Sequence, residues 1–440
     1  MDNLIETIQK NGIIGAGGAG FPTQVKLNTK ADTVIINGAE CEPLLRVDQQ
    51  LMAMRPEDLL DALTMIMKQL GAKNGIIAMK RHYVEADMAI SKLLSKYENI
   101  SIFHLEEFYP AGDEQVLVYE VTGKIVPEGG IPIEVGIVVN NVETALNIYD
   151  AVNKNQPVTE SYVTLTGSVK TKMTISLPLG ITLKEAIDMA GGPTISDYAI
   201  INGGPMMGKI VSEVDRITKT TKGLIILPKD HSLIISLTKP IGNMIKIAKS
   251  SCMHCNICTE MCPRYLIGHR IEPNKMIRFT NYQSFCDSAT TPINAFLCCN
   301  CRLCEYACVM GLQPWKLHMA FKDELGAKGI KNDLHNKPEN AHPFREYRRY
   351  PVKKLIAQLE LTEHDKPAPM EKNSKQFNKV SISLKQHIGA PATPTVRVGD
   401  VVKRGDMIAE MNGNTLGTSY HASINGKVVS IDYNEIIIEK

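Results

Sequence analysis

Residues 251–263 read SCMHCNICTEMCP and residues 298–310 read CCNCRLCEYACVM. Each run sets cysteines at steps of three, three and four: Cys252, Cys255, Cys258 and Cys262, then Cys298, Cys301, Cys304 and Cys308. Cysteines at steps of three wrap a tight loop whose thiolates reach three corners of one cubane. The fourth, carried on the following helix, crosses to the other cluster. By that rule Cys252, Cys255 and Cys258 with Cys308 hold one [4Fe–4S] cluster, and Cys298, Cys301 and Cys304 with Cys262 hold the other. Structural zinc sites pair Cys-x2–4-Cys elements across a spacer instead, so two iron–sulfur clusters are expected. Val309 stands where a proline like Pro263 is usual, a change that touches packing more than ligation. The 35 residues between Cys262 and Cys298 exceed a minimal ferredoxin. Helical patterns at 274–279 and 292–296 predict a helix-rich, ferredoxin-like segment.

The rest of the composition agrees with a reducing compartment. Eight of eleven cysteines sit in the two runs, and Cys41, Cys286 and Cys299 lie outside the spacing. Such clustering reads as metal binding, not as a disulfide framework. A net charge of +2 without long basic runs disfavours nucleic acid as a partner. No run of about 18 apolar residues is present, so no integral membrane segment is expected. Residues 1–10 lack a charged-then-apolar signal pattern. A cytoplasmic location follows, or a compartment that cytoplasmic proteins enter.

Outward from the cysteines, the first 150 residues alternate strand and helix. Strand patterns fall at 33–37 (TVIIN), 75–79 and 100–104, and helices at 4–10, 56–70 and 84–97. In the helix at 56–70, Leu59, Leu60, Leu63, Ile66, Met67 and Leu70 share one face. Pro56 suits its first turn and Gly71 its end. This alternation predicts a sheet with helices packed on it. From about Ser161 the pattern becomes strand (162–168), strand (173–177), helix (183–190), strand (198–202), then the turn GGPMMG at 203–208, which suggests a small β-grasp module. Residues 326–376 are polar and read as a surface helix (351–361) flanked by linker. The last sixty residues are short β runs punctuated by glycine, a compact all-β module.

Residues 15–20 (GAGGAG) satisfy G-x-G-x-x-G, a weak signal here because no strand precedes it and no long helix follows. The string belongs to a larger set, however. GGAGFPT at 17–23 with Lys26, NGAECEP at 37–43 and NNVET at 140–144 resemble, in that order, the flavin-binding subunit of respiratory complex I. They are still more similar to the RnfC component of Rnf-type electron-transport complexes. The GGPMMG turn resembles the soluble-ligand-binding β-grasp module of the same families. In RnfC proteins a barrel-sandwich module precedes the flavin domain. Here VGDVVKRG (398–405) and HASINGKV (421–428) resemble such a module at the other end. That order is similar to the cobalamin reductase family of propanediol-utilisation microcompartments. No lysine lies between Met411 and His421, so the module is not expected to carry biotin or lipoate.

The resemblance implies a multidomain fold: an α/β FMN domain at 1–158, a soluble-ligand-binding β-grasp domain at 159–235, a helix-rich dicluster ferredoxin-like domain at 245–325, helix and linker at 326–376, and a C-terminal all-β barrel-sandwich hybrid at 377–440. It also implies a site. Backbone amides of Gly17, Gly18 and Gly20 approach the FMN, with Lys26, Asn37, Asn140, Asn141 and Thr144 on its phosphate, ribityl chain or ring. Phe21 stacks on the nicotinamide of NADH, and Glu42 and Glu114, the latter following Gly112 and Asp113, hydrogen-bond its ribose or amide. Glu40 belongs to the same set, whereas Ala39 replaces an acidic residue of complex I. The alternative for Glu40, Glu42, Asp113 and Glu114 is that they are solvated loop carboxylates.

The chemistry fits the parts, because a flavin accepts hydride from a nicotinamide and passes electrons singly to clusters. The implied function is NADH-dependent reduction of a corrinoid for a cobalamin-dependent diol dehydratase pathway, in the cytoplasm or inside a bacterial microcompartment. A corrinoid adenosyltransferase or another acceptor protein is the other partner implied. No Asp-x-His-x-x-Gly signature of tightly bound corrinoid occurs, so the corrinoid is expected as a transient substrate. One alternative is an Rnf-like electron-transfer protein serving a ferredoxin or an amino-acid reductase. Another is a ferredoxin-like wire or scaffold without flavin.

Overall fold

The computed structural model describes residues 4–282, 290–413 and 415–440. Cys286 and the first three residues lie outside them. The N-terminal module is a four-stranded parallel sheet in the order Ile100–Leu105, Asn74–Lys80, Thr33–Gly38, Ile137–Asn141. Parallel strands are buried on both faces, which is why they read as apolar runs. Val34 and Ile36 face one way, onto the helices Pro56–Leu70 and Val142–Lys154. Ile35 faces the other way, onto Leu117 and Val118 of Glu114–Thr122.

Pro56–Leu70 has the expected bounds because both ends are chemically marked. Pro56 occupies the first turn, and Gly71, at φ +68°, closes the last in the left-handed conformation. The helix expected at 84–97 is shorter. It stops at Ser91, and Leu94–Lys96 forms a separate 3-10 turn. Only Ala86 and Ile90 of it are buried, so little apolar surface holds a longer helix in place.

The strand order reverses between Thr33–Gly38 and Ile137–Asn141, where Asn37 pairs in register with Asn141. A crevice at the carboxyl ends of two such strands is where open α/β sheets bind ligands. Two further modules close over it. The grasp module is a six-stranded sheet in the order Met370–Glu371, Met173–Pro178, Glu160–Gly167, Gly223–Pro228, Tyr198–Asn202, Lys209–Val211. The expected strands do not include Gly223–Pro228, yet it is central and runs parallel to Glu160–Gly167. The C-terminal module comprises a four-stranded and a three-stranded sheet. Its Val380, Ile382 and Tyr420 share one hydrophobic core with Ile8 and Ile13 of the first module and Leu165 and Ile226 of the grasp module.

The segment expected as a surface helix with linker is instead built in. Val352–Gln358 buries Val352, Leu355 and Ile356. These pack with Leu359, Leu361, Tyr109 and the cluster-loop residues Cys301 and Leu303. Tyr350–Pro351 pairs with Phe108–Tyr109, and Met370–Glu371 extends the grasp sheet. Its few apolar residues are spaced to meet three different modules, so a polar average concealed them.

Candidate active site and cluster-binding loops

A cavity of about 670 Å³ opens at the sheet's carboxyl edge. Gly15–Gly20 form one wall, Asn37–Glu42 and Gly112–Glu114 the floor, Asn140, Asn141 and Thr144 a second wall, and Asn202–Lys209 with Lys222 of the grasp module the roof. The volume lies within the range of small-molecule and cofactor sites. All fourteen flavin and nicotinamide residues expected from the sequence line it, and they divide into two kinds.

One kind builds the walls. Glu40 accepts hydrogen bonds from the backbone N–H groups of Val47, Asp48 (3.0 Å) and Gln49 (3.3 Å), and so caps the helix Val47–Met54. Asn37 donates to Gly112 O (3.0 Å) and accepts from Ala39 N–H (3.2 Å). Thr144 Oγ1 accepts from Ala16 N–H (2.9 Å), holding the glycine loop. Asn141 donates to Asp48 Oδ2 (2.7 Å) while its own Oδ1 caps the next helix. Asp113 caps Glu114–Thr122 and pairs with Arg264 Nη2 (2.8 Å) beside the cysteines. Glu40 and Asp113 are therefore not solvated loop carboxylates. Their oxygens are committed to the fold.

The other kind presents groups to the space. The tip of the glycine loop, Gly17 to Ala19, is exposed. Gly18 has φ +106° and Gly20 φ +69°, conformations that side chains rarely adopt. A Cβ at Gly17 would stand 3.2 Å from the Asn141 amide nitrogen, so the absence of side chains keeps the cradle open. Asn140 Nδ2 and Glu42 Oε1 are buried and, among the described residues, without a hydrogen-bond partner. Lys26 pairs with Glu114 (2.8 Å), and Phe21 is 40 % exposed at the mouth. Glu42 Oε2 accepts from Met206 N–H (2.9 Å), and burial pushes its carboxyl up to about 7. An orphaned donor, bare loop amides and a lysine fit an anionic, hydrogen-bonding group such as FMN.

Sequence reasoning missed the roof. Lys222 is paired with Glu143 and lies 3.6 Å from Asp48, all three nearly buried. Lys222 heads the strand Gly223–Pro228, and a lysine before a wholly apolar run was the available signal.

The cysteine loops have matching backbones. His254 and Asn256 in the first, and Asn300 and Arg302 at the same offsets in the second, all have φ between +54° and +63°. Left-handed turns in non-glycine residues carry a cost, and here they coil both loops alike. Cys252, Cys255, Cys258 and Cys308 line one small cavity, and Cys262, Cys298, Cys301 and Cys304 line another, with Cys299. This is the crossed grouping expected from the spacing. Among the described residues no three His, Cys, Asp or Glu side chains converge on a single-ion site. The thiols stand apart around each cavity, as a many-atom cubane requires. Cys299 and Cys301 also line the large cavity, so it shares a wall with the second thiol set.

Comparison with known families agrees with this layout. The Nuo51 FMN-binding domain matches residues 8–150, the SLBB domain 162–209, a 4Fe-4S dicluster domain 251–313 and the RnfC barrel sandwich hybrid domain 360–439. Cobalamin reductase PduS of Citrobacter freundii is 41 % identical over 438 residues, covering 98 % of this chain and 95 % of that protein. The chain belongs to the PduS cobalamin reductase family. The PduS of Salmonella typhimurium is 40 % identical over 443 residues, 99 % of this chain and 96 % of that one. The RnfC-type component of the Na(+)-translocating ferredoxin:NAD(+) oxidoreductase complex of Acetobacterium woodii is 34 % identical over 60 % of this chain and 58 % of its own length. A crystal structure of an NAD+-reducing [NiFe]-hydrogenase superposes at TM-score 0.47 and 18 % identity, covering 83 % of this chain and 67 % of that one. Among the described residues no helix is long and apolar enough to cross a membrane.

Proposed function

We propose that this PduS-family chain is an NADH-dependent oxidoreductase that takes electrons through FMN and two [4Fe–4S] clusters to a corrinoid substrate. When bound, the flavin accepts hydride from the nicotinamide and the clusters carry electrons singly. The chain's residues divide the work. Loop amides of Gly17, Gly18 and Gly20 with Lys26 hold the flavin phosphate, and Asn140 Nδ2 donates to its polar edge. Phe21 offers an aromatic face to the nicotinamide at the mouth, and Glu42 Oε1 accepts from its amide or ribose. Cys262, Cys298, Cys301 and Cys304 hold the cluster nearer the flavin, and Cys252, Cys255, Cys258 and Cys308 the farther one.

The observation that carries this reading is the shared wall. Cys301 belongs both to the flavin cavity and to one thiol set, and Cys304 of that set is a near neighbour of Cys258 in the other. The corrinoid is supported by family membership, as is a setting within a microcompartment. The test is anaerobic. Chain loaded with FMN and iron–sulfide should lose flavin absorbance on NADH addition and then reduce cob(III)alamin and cob(II)alamin. Failure to take up FMN would overturn the enzyme reading. NADH oxidation with a ferredoxin but with no corrinoid would place the chain with the Rnf-like proteins instead.

A further inference from the structure

Lys219, in the turn that leads to Lys222, is 2 % exposed. Its Nζ donates to Gly12 O (2.6 Å) and to Ser419 O (2.8 Å) and sits 4.4 Å from the centre of the Tyr420 ring. Among the described residues no carboxylate pairs with it. Its backbone N–H donates to Gln386 Oε1 (2.9 Å). One grasp-module residue thus ties the entry of the glycine loop to the C-terminal module. Gly12 fits this arrangement only as glycine: it has φ +68°, and a Cβ would lie 2.3 Å from Ser419 O and 2.6 Å from Lys219 Nζ.

The exit of the loop is held from the same side. A Cβ at Gly20 would meet Thr220 Cγ2 at 3.0 Å, Gln386 O at 3.1 Å and His387 Cα at 3.2 Å. Gln24 Nε2 donates to Gly417 O (2.6 Å). Both ends of the loop are therefore pinned against residues 386–420, while its tip at Gly17 to Ala19 stays exposed toward the cavity. Ordering a free backbone costs about 1–2 kcal/mol per residue, and a loop already pinned at both ends has met much of that cost before an anion arrives.

We infer that the C-terminal barrel-sandwich module is a clasp on the flavin-binding loop, with Lys219 as the positioning residue through which it acts. The inference rests on the flavin reading above. It gives this module a role in cofactor affinity, by holding Gly12 to Gln24 and not by touching the cofactor.

The experiment uses the full chain, the variants Lys219→Met and Gln24→Leu, and two readouts. FMN binding to apoprotein, followed by quenching of flavin fluorescence, should weaken at least tenfold for Lys219→Met and about threefold for Gln24→Leu. Iron content should be unchanged, and NADH oxidation should return in excess FMN, as a misfolded chain would not allow. Amide hydrogen exchange, read without flavin, should speed up at least tenfold across residues 12–24 in Lys219→Met, with the strand Thr33–Gly38 unaffected. If Lys219→Met does not fold, Gln24→Leu carries both readouts. Parent-like exchange across 12–24 in the folded variants would overturn the clasp, whether or not the parent binds FMN. A parent that binds no FMN but whose loop loosens in the variants would overturn the flavin reading and leave the clasp standing.

Discussion

Lys222 is a cation set against two nearly buried carboxylates, with side-chain exposures of 12 % for Lys222, 9 % for Asp48 and 2 % for Glu143. Replacing it with methionine keeps the length and removes the charge. At 3.6 Å from Asp48, with an effective dielectric of about 20, that attraction alone is about 4–5 kcal/mol. Lys222 also escapes its own burial cost, so the net loss should match that of a broken buried pair, about 3–5 kcal/mol. The pH dependence has a definite sign. Burial already raises the Glu143 carboxyl while Lys222 lowers it; without the lysine the folded-state value rises further above the unfolded one. Stability is then retained at low pH, where the carboxyl is protonated in both states, and lost as pH climbs above about 4.5. Urea unfolding followed by circular dichroism should show Lys222→Met close to the parent near pH 5 and far below it at pH 8. One transition is expected, because a single core runs through the flavin, grasp and C-terminal modules. Adding Glu143→Gln should recover part of the loss. A variant within about 1 kcal/mol of the parent at pH 8, or no recovery in the double variant, would refute the reasoning.

Three further outcomes follow from the site. Cys262→Ser should remove the cluster next to the flavin although Cys262 lies in the first cysteine run, taking iron from about eight to about four per chain. If its electron paramagnetic resonance loss matches that of Cys255→Ser, the crossed grouping is wrong. Gly20→Ala should weaken FMN binding more than Gly18→Ala. Both place a side chain at positive φ, but only Gly20 also meets backbone atoms, within 3.1–3.2 Å, where Gly18 meets open space. The comparison is a titration of apoprotein with FMN, and equal losses would count against the packing argument. Glu42, pushed to about 7 by burial, should cost the parent stability as pH rises from about 4.5 to 7. Glu42→Gln should flatten that slope in urea midpoints taken at pH 5 and pH 8.

Local chemistry was legible and distant partners were not. The cysteine spacing led to the crossed grouping because ligation at steps of three depends on a few consecutive residues. The bounds of Pro56–Leu70 were legible because proline and glycine mark both ends. Glu40 and Thr144 show the limit: residue type reveals a capacity to hydrogen-bond but not the partner, and both spend that capacity on backbone near the cavity instead of presenting it. Lys222 and Lys219 were invisible because their partners lie 79 and 200 or more residues away. The segment 326–376 misled for a related reason. Leu355, Leu359 and Leu361 are fully buried, yet each packs on a different stretch of chain, so no single period exposes them.

The placement of the barrel-sandwich module at the end of the chain, where RnfC proteins carry it ahead of the flavin domain, has a structural rationale. Its contact with the flavin module is at Gly12, two residues past the helix Leu4–Lys10. A module joined ahead of that helix would be delivered beside Gly12 by a short connection. The present one reaches the same place through 359–378, a route that the buried leucines and the added edge strand Met370–Glu371 hold in position. What the fold needs is a rigid β surface against both ends of the glycine loop, and either terminus can supply it. The cysteine segment has no such freedom. Asp113 must reach Arg264, and Tyr109 OH must reach Cys301 O at 3.0 Å, for the second thiol set to share a wall with the cavity. Module order can therefore vary where a module only braces the site, and stays fixed where electrons must cross a shared wall.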